Sequence, residues 1–364
     1  MANKEKGDRI AVANRVRIGV IGLGMGRHHA RWYSALPQAE LVALCDLDEG
    51  LLAEYGALYP QAETYTSYEA LFESGKVDAV SVALPNVLHA PVTIAALRAG
   101  LDVLCEKPMA INAQQAEEMA QVARETGRKL MIHFNYRFTK PARFLKRYVE
   151  EGHLGELYYA KTRWLRTRGI PKMGGWFGIK ELSGGGPLID LGVHRLDLAL
   201  WLMDYPRALT VSASTHDLLG ARLAKESGLR YDVEDLAVAF IRLENGVTLT
   251  LEASWAGGTE RQEEMFTGIY GDDGAVIQRN RGEGYDFEAL ALKDVAGHLV
   301  EMSPRLYPRD ESDAGSSGAI VHFIHCILED CPPEASAQHG VELMRIIDAV
   351  FASAQQGREV TIQR

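Results

Sequence analysis

From Arg15 to Arg137 the chain alternates short apolar runs with amphipathic stretches, a pattern with few structural solutions. The runs are VRIGVIG (16–22), ELVALCD (40–46), DAVSVAL (78–84), DVLCEK (102–107) and KLMIHF (129–134). Helical stretches separate them, such as NAQQAEEMAQVARETG, which opens on a capping Asn112 and stops at Gly127. Strands joined through helices must run parallel, with the helices covering both faces of the sheet. The pattern therefore predicts a doubly wound α/β domain over residues 15–137, preceded by an N-terminal tail over 1–14.

The remainder, 138–364, follows a different rule. After one helix (PARFLKRYVEEG) come alternating strands: ELYYAKTRWLR, ALTVSASTH, DLAVAFIRL and VTLTLEASW. The last two are joined through Glu244-Asn245-Gly246, a strong hairpin signal. Further strand-like pieces precede two helices near 317–329 and 338–356, and RNRGEGYD and YPRDESDAGSSG read as exposed loops. This half is predicted to be an α+β domain built on a large, mostly antiparallel open sheet. A chain of 364 residues accommodates two such domains.

Charge narrows the function. Lys and Arg number 39 against 49 Asp and Glu, a net charge of −10, which opposes nucleic acid and anionic membranes as partners. No run approaches the length of a membrane span, and the charged N-terminus lacks the apolar core of a secretory signal. Cys45, Cys105, Cys326 and Cys331 contain no CxxC pair and no zinc-type spacing, so no metal is expected. These features point to a cytoplasmic protein acting on a small molecule.

Gly22, Gly24, Met25 and Gly26 leave the first run and enter a helix. In that context one glycine takes the tight turn, the next admits a pyrophosphate, and the helix N-terminus supplies amides and partial positive charge. The third glycine stands one place earlier than in GxGxxG, with Arg27 at the usual position. Asp46 ends the second run, where a carboxylate accepts from a ribose diol and repels a 2′-phosphate, so NAD is favoured over NADP. His28 and His29 are read as lining the first helical turn.

Three segments carry the chemistry: ALPNVLH (83–89), CEKPMA (105–110) and GGGPLIDLGVHRLDLALWL (184–202). Asn86 and Lys107 lie at strand exits, which border the ligand crevice of an open parallel sheet. Pro108 restrains the backbone that aims the Lys107 amine, by disfavouring a helical Lys107 or through a cis bond. Asp190, His194 and Asp197 fall at i, i+4 and i+7 of an apolar helix and are predicted to share one face. Oxidising a secondary alcohol needs a proton acceptor, a group to orient it and a cation for the developing alkoxide. His194, Asp190 and Lys107 supply one of each. The reading requires that the Lys107 amine and the His194 imidazole reach the same hydroxyl.

Together these motifs resemble the Gfo/Idh/MocA oxidoreductases, named for glucose-fructose oxidoreductase and inositol dehydrogenase. The resemblance rests on the early glycine loop, Pro85-Asn86 with His89, ALRAGLDVLCEKPMA with Glu106-Lys107-Pro108, and GGGPLIDLGVH, and covers nearly the whole chain after Val16. It implies a Rossmann domain binding NAD(P) and a second domain whose open sheet caps the substrate and forms a dimer or tetramer. It implies Lys107, Asp190 and His194 as the catalytic set, and Pro85, Asn86, His89, Glu106 and Lys107 beside the cofactor. It also implies substrate contacts from Asn135, Tyr136, Arg163, Arg168 and Trp176. The function expected is NAD-dependent oxidation of a secondary hydroxyl of a sugar, cyclitol or sugar derivative, or the reverse. Alternatives are an NAD-using glycoside hydrolase or lyase with transient oxidation, and a non-catalytic NAD or sugar sensor.

Overall fold

Strands β1 (Val16–Ile21), β2 (Ala39–Cys45), β3 (Glu63–Tyr65), β4 (Ala79–Val82), β5 (Asp102–Cys105) and β6 (Leu130–Ile132) pair in parallel in the order β3-β2-β1-β4-β5-β6. This is a computed structural model, and it describes residues 15–305 and 315–363. The expected tail over 1–14 and residues 307–314 of the second expected loop lie outside the described residues. Every residue of β4, β5 and β6 is buried, as a sheet covered on both faces requires. Side-chain caps fix the helix starts: Asp48 accepts the Gly50 and Leu51 amides before the helix Glu49–Leu58, and Ser67 accepts the Ala70 amide before Tyr68–Glu73. The strand order reverses direction at β1 and β4, so the crevice beyond their carboxyl ends is where an open sheet of this type binds ligands.

Strands β7 (Leu157–Arg166), β8 (Ala208–His216), β9 (Leu236–Leu243), β10 (Thr248–Ser254), β11 (Glu263–Gly271), β12 (Gly274–Asn280), β13 (Phe287–Val295), β14 (His298–Met302) and β15 (Val360–Thr361) form a second sheet in the order β14-β13-β12-β11-β7-β10-β9-β8-β15. Its pairs are antiparallel except β7 with β10. The β9–β10 hairpin turns at Gly246, whose φ of 84° suits glycine. Along β7 the buried residues are Ala160, Thr162 and Trp164, and along β9 Ala237, Ala239, Ile241 and Leu243, so one face is covered while Val238 and Phe240 stay exposed.

The chain divides into two units, but not by one cut at residue 137. Residues up to Met109, Gln114–His133 and Ser316–Gln338 form the first, and Ala110–Ala113, Phe134–Gly315 and His339–Arg364 the second. The late segment joins the first unit through backbone pairing, with the Ile132 amide donating to the Ala335 carbonyl at 2.9 Å and a bridge between Met131 and Ser336. The four cysteines are free thiols. Among the described residues no helix is long and apolar enough to cross a membrane.

Candidate active site

In the first unit the glycine loop closes between β1 and the helix Leu23–Ala35. Gly22 has φ +88°, and a Cβ there would lie 2.4 Å from the Ala83 carbonyl oxygen. A Cβ on Gly26 would lie 2.7 Å from Val20 Cγ1, so the glycine that stands one place early serves the close packing of helix on strand. A Cβ on Gly24 would meet nothing within 4 Å, and Gly24 and Met25 are exposed. The loop is thus open where a pyrophosphate approaches the first helical turn, and these residues fit a dinucleotide. Asp46 accepts the Leu23 amide at 2.6 Å and the Asp48 amide at 2.9 Å, which sets its carboxylate against this loop.

The exits of β4 and β5 carry the next set. Asn86 opens a short 3₁₀ turn, Asn86–Leu88, and is buried. The Lys107–Pro108 bond is cis, and Lys107 is half-buried. Two residues expected at the cofactor are otherwise engaged. The His89 ring is fully buried, with Nδ1 2.7 Å from the Pro108 carbonyl and Nε2 2.8 Å from the Leu84 carbonyl, so it ties the two strand exits together from behind. The Glu106 carboxylate faces His29 Nε2 at 2.9 Å and His133 Nδ1 at 2.7 Å, and accepts the Lys107 amide at 3.1 Å. Burial alone would raise the Glu106 pKa, but His133 and His29 hold it well below the usual carboxylate range.

In the second unit, residues 183–203 are buried at every position except Asp190 and His194. The segment begins as a π-helix, Leu188–Gly192, and continues as the α-helix Val193–Leu202. That extra residue per turn breaks the period on which the three polar side chains were expected to share a face. Asp197 lies elsewhere: it is 1% exposed, accepts Arg137 Nε at 2.9 Å and the Tyr205 hydroxyl at 2.6 Å, and is a structural ion-pair partner. His194 packs against Tyr136 at 4.9 Å between ring centroids and against Trp164 at 5.7 Å. Trp255 Nε1 donates to Asp190 Oδ2 at 3.0 Å.

Glycine and a buried acid seat this segment. The Glu234 carboxylate accepts the Gly186 amide at 2.9 Å and the Leu188 amide at 3.0 Å, and a Cβ on Gly186 would lie 2.0 Å from the Glu234 carbonyl oxygen. Burial pushes the Glu234 pKa up to about 7, despite the two amides. Trp255 and Glu234 were not singled out from the sequence. Trp255 continues the inward parity of Leu249, Leu251 and Ala253, which was a usable signal, whereas Glu234 sits in a loop and offered none.

Of the expected substrate residues, Tyr136 stands against His194, and Asn135 opens the same 3₁₀ turn, Asn135–Phe138. Arg163 does not belong with them. It alternates with Trp164 on β7, so it points to the opposite face, where it pairs with Glu264 at 3.2 Å. Arg166 has the parity of Trp164, lies over its ring at 5.7 Å and pairs with Glu263 at 2.9 Å. Arg168 is exposed and donates to the carbonyls of Thr167 and Ala256. Trp176 stacks on Phe177 at 3.8 Å, and Phe177 meets Trp255 at 6.5 Å, so Trp176 is two rings removed from Asp190.

Comparison with known proteins places the chain in a family. Residues 16–134 match the family model described as an oxidoreductase family NAD-binding Rossmann fold, and 146–362 match the C-terminal alpha/beta domain of the same family. The chain is 33% identical over 357 residues to D-glucoside 3-dehydrogenase of Escherichia coli K12, covering 95% of this chain and 97% of that one. Aldose-aldose oxidoreductase from Caulobacter crescentus, solved with glycerol, is 27% identical, with a TM-score of 0.81 over 96% of this chain and 100% of that one. GenD2 from gentamicin A biosynthesis, solved with NAD, is 25% identical, with a TM-score of 0.80 over 97% of both chains.

Proposed function

This chain belongs to the Gfo/Idh/MocA family of NAD-binding oxidoreductases, and from that premise we propose that it oxidises a secondary hydroxyl of a sugar, cyclitol or sugar derivative, or runs the reverse reduction. NAD, when bound, supplies the hydride acceptor. Lys107 polarises the substrate oxygen, His194 takes its proton, and Asp190 holds the imidazole in orientation. The observation that carries this reading is the exposure pattern of residues 183–203, where an otherwise buried helix opens only at a carboxylate and an imidazole. Tyr136 and Trp164, both buried, pack on His194 and hold its ring from the core side. The E. coli relative, named a D-glucoside 3-dehydrogenase, supports glycosides as the first compounds to try.

The reading includes a cytoplasmic homo-oligomer, dimer or tetramer, formed through the open face of the nine-stranded sheet. Four unbridged thiols suit a reducing compartment, and Val238 and Phe240 leave that face apolar in part. Sedimentation at several concentrations tests the assembly.

The deciding experiment screens glycosides, free sugars and cyclitols for NADH formation, with wild type beside His194→Ala. Wild type is expected to accumulate NADH, which redox-neutral cleavage would not produce. The variant is expected to keep NADH binding and lose about 10²- to 10⁴-fold in turnover. An unchanged kcat in His194→Ala across the pH range removes His194 from the reaction.

A further inference from the structure

Behind Lys107 lies a connected set of polar groups that the reaction itself does not use. His29 on the helix Leu23–Ala35 and His133 after β6 both face Glu106 Oε1, at 2.9 and 2.7 Å, with side chains 1%, 4% and 13% exposed for His29, His133 and Glu106. Beyond His29 the set continues through Ser81 Oγ at 3.1 Å from Nδ1, and through Tyr33, whose hydroxyl is 3.0 Å from that Oγ. An ionised Glu106 accepts only, so both imidazole nitrogens facing it carry hydrogen. Burial lowers the His29 pKa and favours the neutral ring, whose Nδ1 then accepts from Ser81. The Ser81 oxygen must then accept from Tyr33. His29 and His133 both donate to one Glu106 oxygen, and the second carboxylate oxygen takes the Lys107 amide at 3.1 Å.

We infer that His29 and His133 are positioning residues for Lys107: they fix the Glu106 carboxylate, which fixes the Lys107 backbone and ties it to the helix that follows the glycine loop. The inference rests on the reading of Lys107 as the group that polarises the substrate oxygen. The three side chains are also of types that ligate metals, with ligand atoms within 4.8 Å of one another. The directed hydrogen bonds account for them without an ion.

His133→Leu removes one donor to Glu106, whereas His133→Asn restores a nitrogen donor where Nδ1 stands. His133→Leu should lower kcat at least about tenfold with little change in KM, as a misplaced catalytic group does, while NADH affinity stays within about twofold. His133→Asn should recover most of that loss. Amide exchange at Lys107, followed without substrate, should speed up about tenfold in His133→Leu and return toward wild type in His133→Asn. Lys107→Ala combined with His133→Leu should be no slower than Lys107→Ala alone.

Equal losses in the two His133 variants, or loss of NADH affinity in step with kcat, would show a packing role instead and overturn the proposal. So would stabilisation of the wild type, but not of His133→Leu, by added Zn²⁺, which would make the cluster a metal centre. A Lys107→Ala enzyme with wild-type turnover would instead defeat the lysine assignment, while the exchange data still report on the anchor.

Discussion

Raising the pH from 5 to 8 should weaken the second unit through Glu234, the reverse of what salt-bridged surface carboxylates do. Glu234 is 7% exposed, and its carboxylate accepts two backbone amides, at 2.9 and 3.0 Å. Burial is the largest influence on it and outweighs the amides and Lys180, moving the pKa from 4.5 up to about 7. Between those values the native state holds a proton that the unfolded chain has released. Stability is therefore fully present below about pH 4.5, falls as the pH rises through the window, and levels off above about 7. At about 1.36 kcal/mol per pKa unit, the wild type should lose on the order of 3 kcal/mol across it.

Glu234→Gln does not titrate, but its amide nitrogen faces one of the two donors, so one hydrogen bond is lost at a cost of about 1–3 kcal/mol. The variant should be the less stable protein at pH 5, and the gap should close or invert by pH 8. Urea unfolding followed by tryptophan fluorescence measures this, because Trp164, Trp176, Trp201 and Trp255 lie in the second unit and only Trp32 in the first. Taking the difference between the two proteins at each pH removes the other titrating groups. A difference that stays flat from pH 5 to 8 refutes the argument and means that the two amides keep Glu234 ionised.

Gly22→Ala places a Cβ 2.4 Å from the Ala83 carbonyl oxygen at positive φ and should lower both Tm and NADH affinity; Gly24→Ala meets no atom within 4 Å and should lower affinity alone. Binding titrations beside melting curves separate the two. Asp46→Ala should raise the NADP to NAD ratio of kcat/KM at least about tenfold, and cost about 1 kcal/mol from the lost bond to the Leu23 amide. Unchanged cofactor preference would confine Asp46 to capping. Asp197→Ala strands the buried Arg137 guanidinium and should destabilise by about 3–5 kcal/mol in denaturant unfolding. Arg163→Ala, on the far face of β7, should leave kcat/KM within about twofold of wild type, since its pair with Glu264 lies away from His194.

The architecture was legible because burial writes it into the sequence. Runs covered on both faces are continuously buried and mostly apolar, as in β4 and β5, while half-covered strands alternate, as in β9. β3 left little trace, being three residues with two exposed. The candidate site was legible where one local segment carries it, as with the glycine loop or the helix bearing Asp190 and His194. It failed where geometry departs from a regular period: the π-turn at Leu188–Gly192 sends Asp197 to Arg137. It also failed where distant segments meet, for nothing near His29 in the chain announces Glu106 or His133. Arg163 was recoverable in principle, since strand parity separates it from Trp164.

The pairing of β6 with residues near Ala335 has a consequence for how this protein is made. A ribosome releases Ile132 long before Ala335, so the nucleotide-binding half waits, with its outermost strand uncovered, until the 203 residues from Ile132 to Ala335 (335 − 132) have emerged. A fragment ending at Arg137 keeps the glycine loop and Lys107 yet leaves that border bare, and should self-associate. Fusing Ser316–Gln338 back onto such a fragment is the economical way to obtain a soluble half for NADH titration.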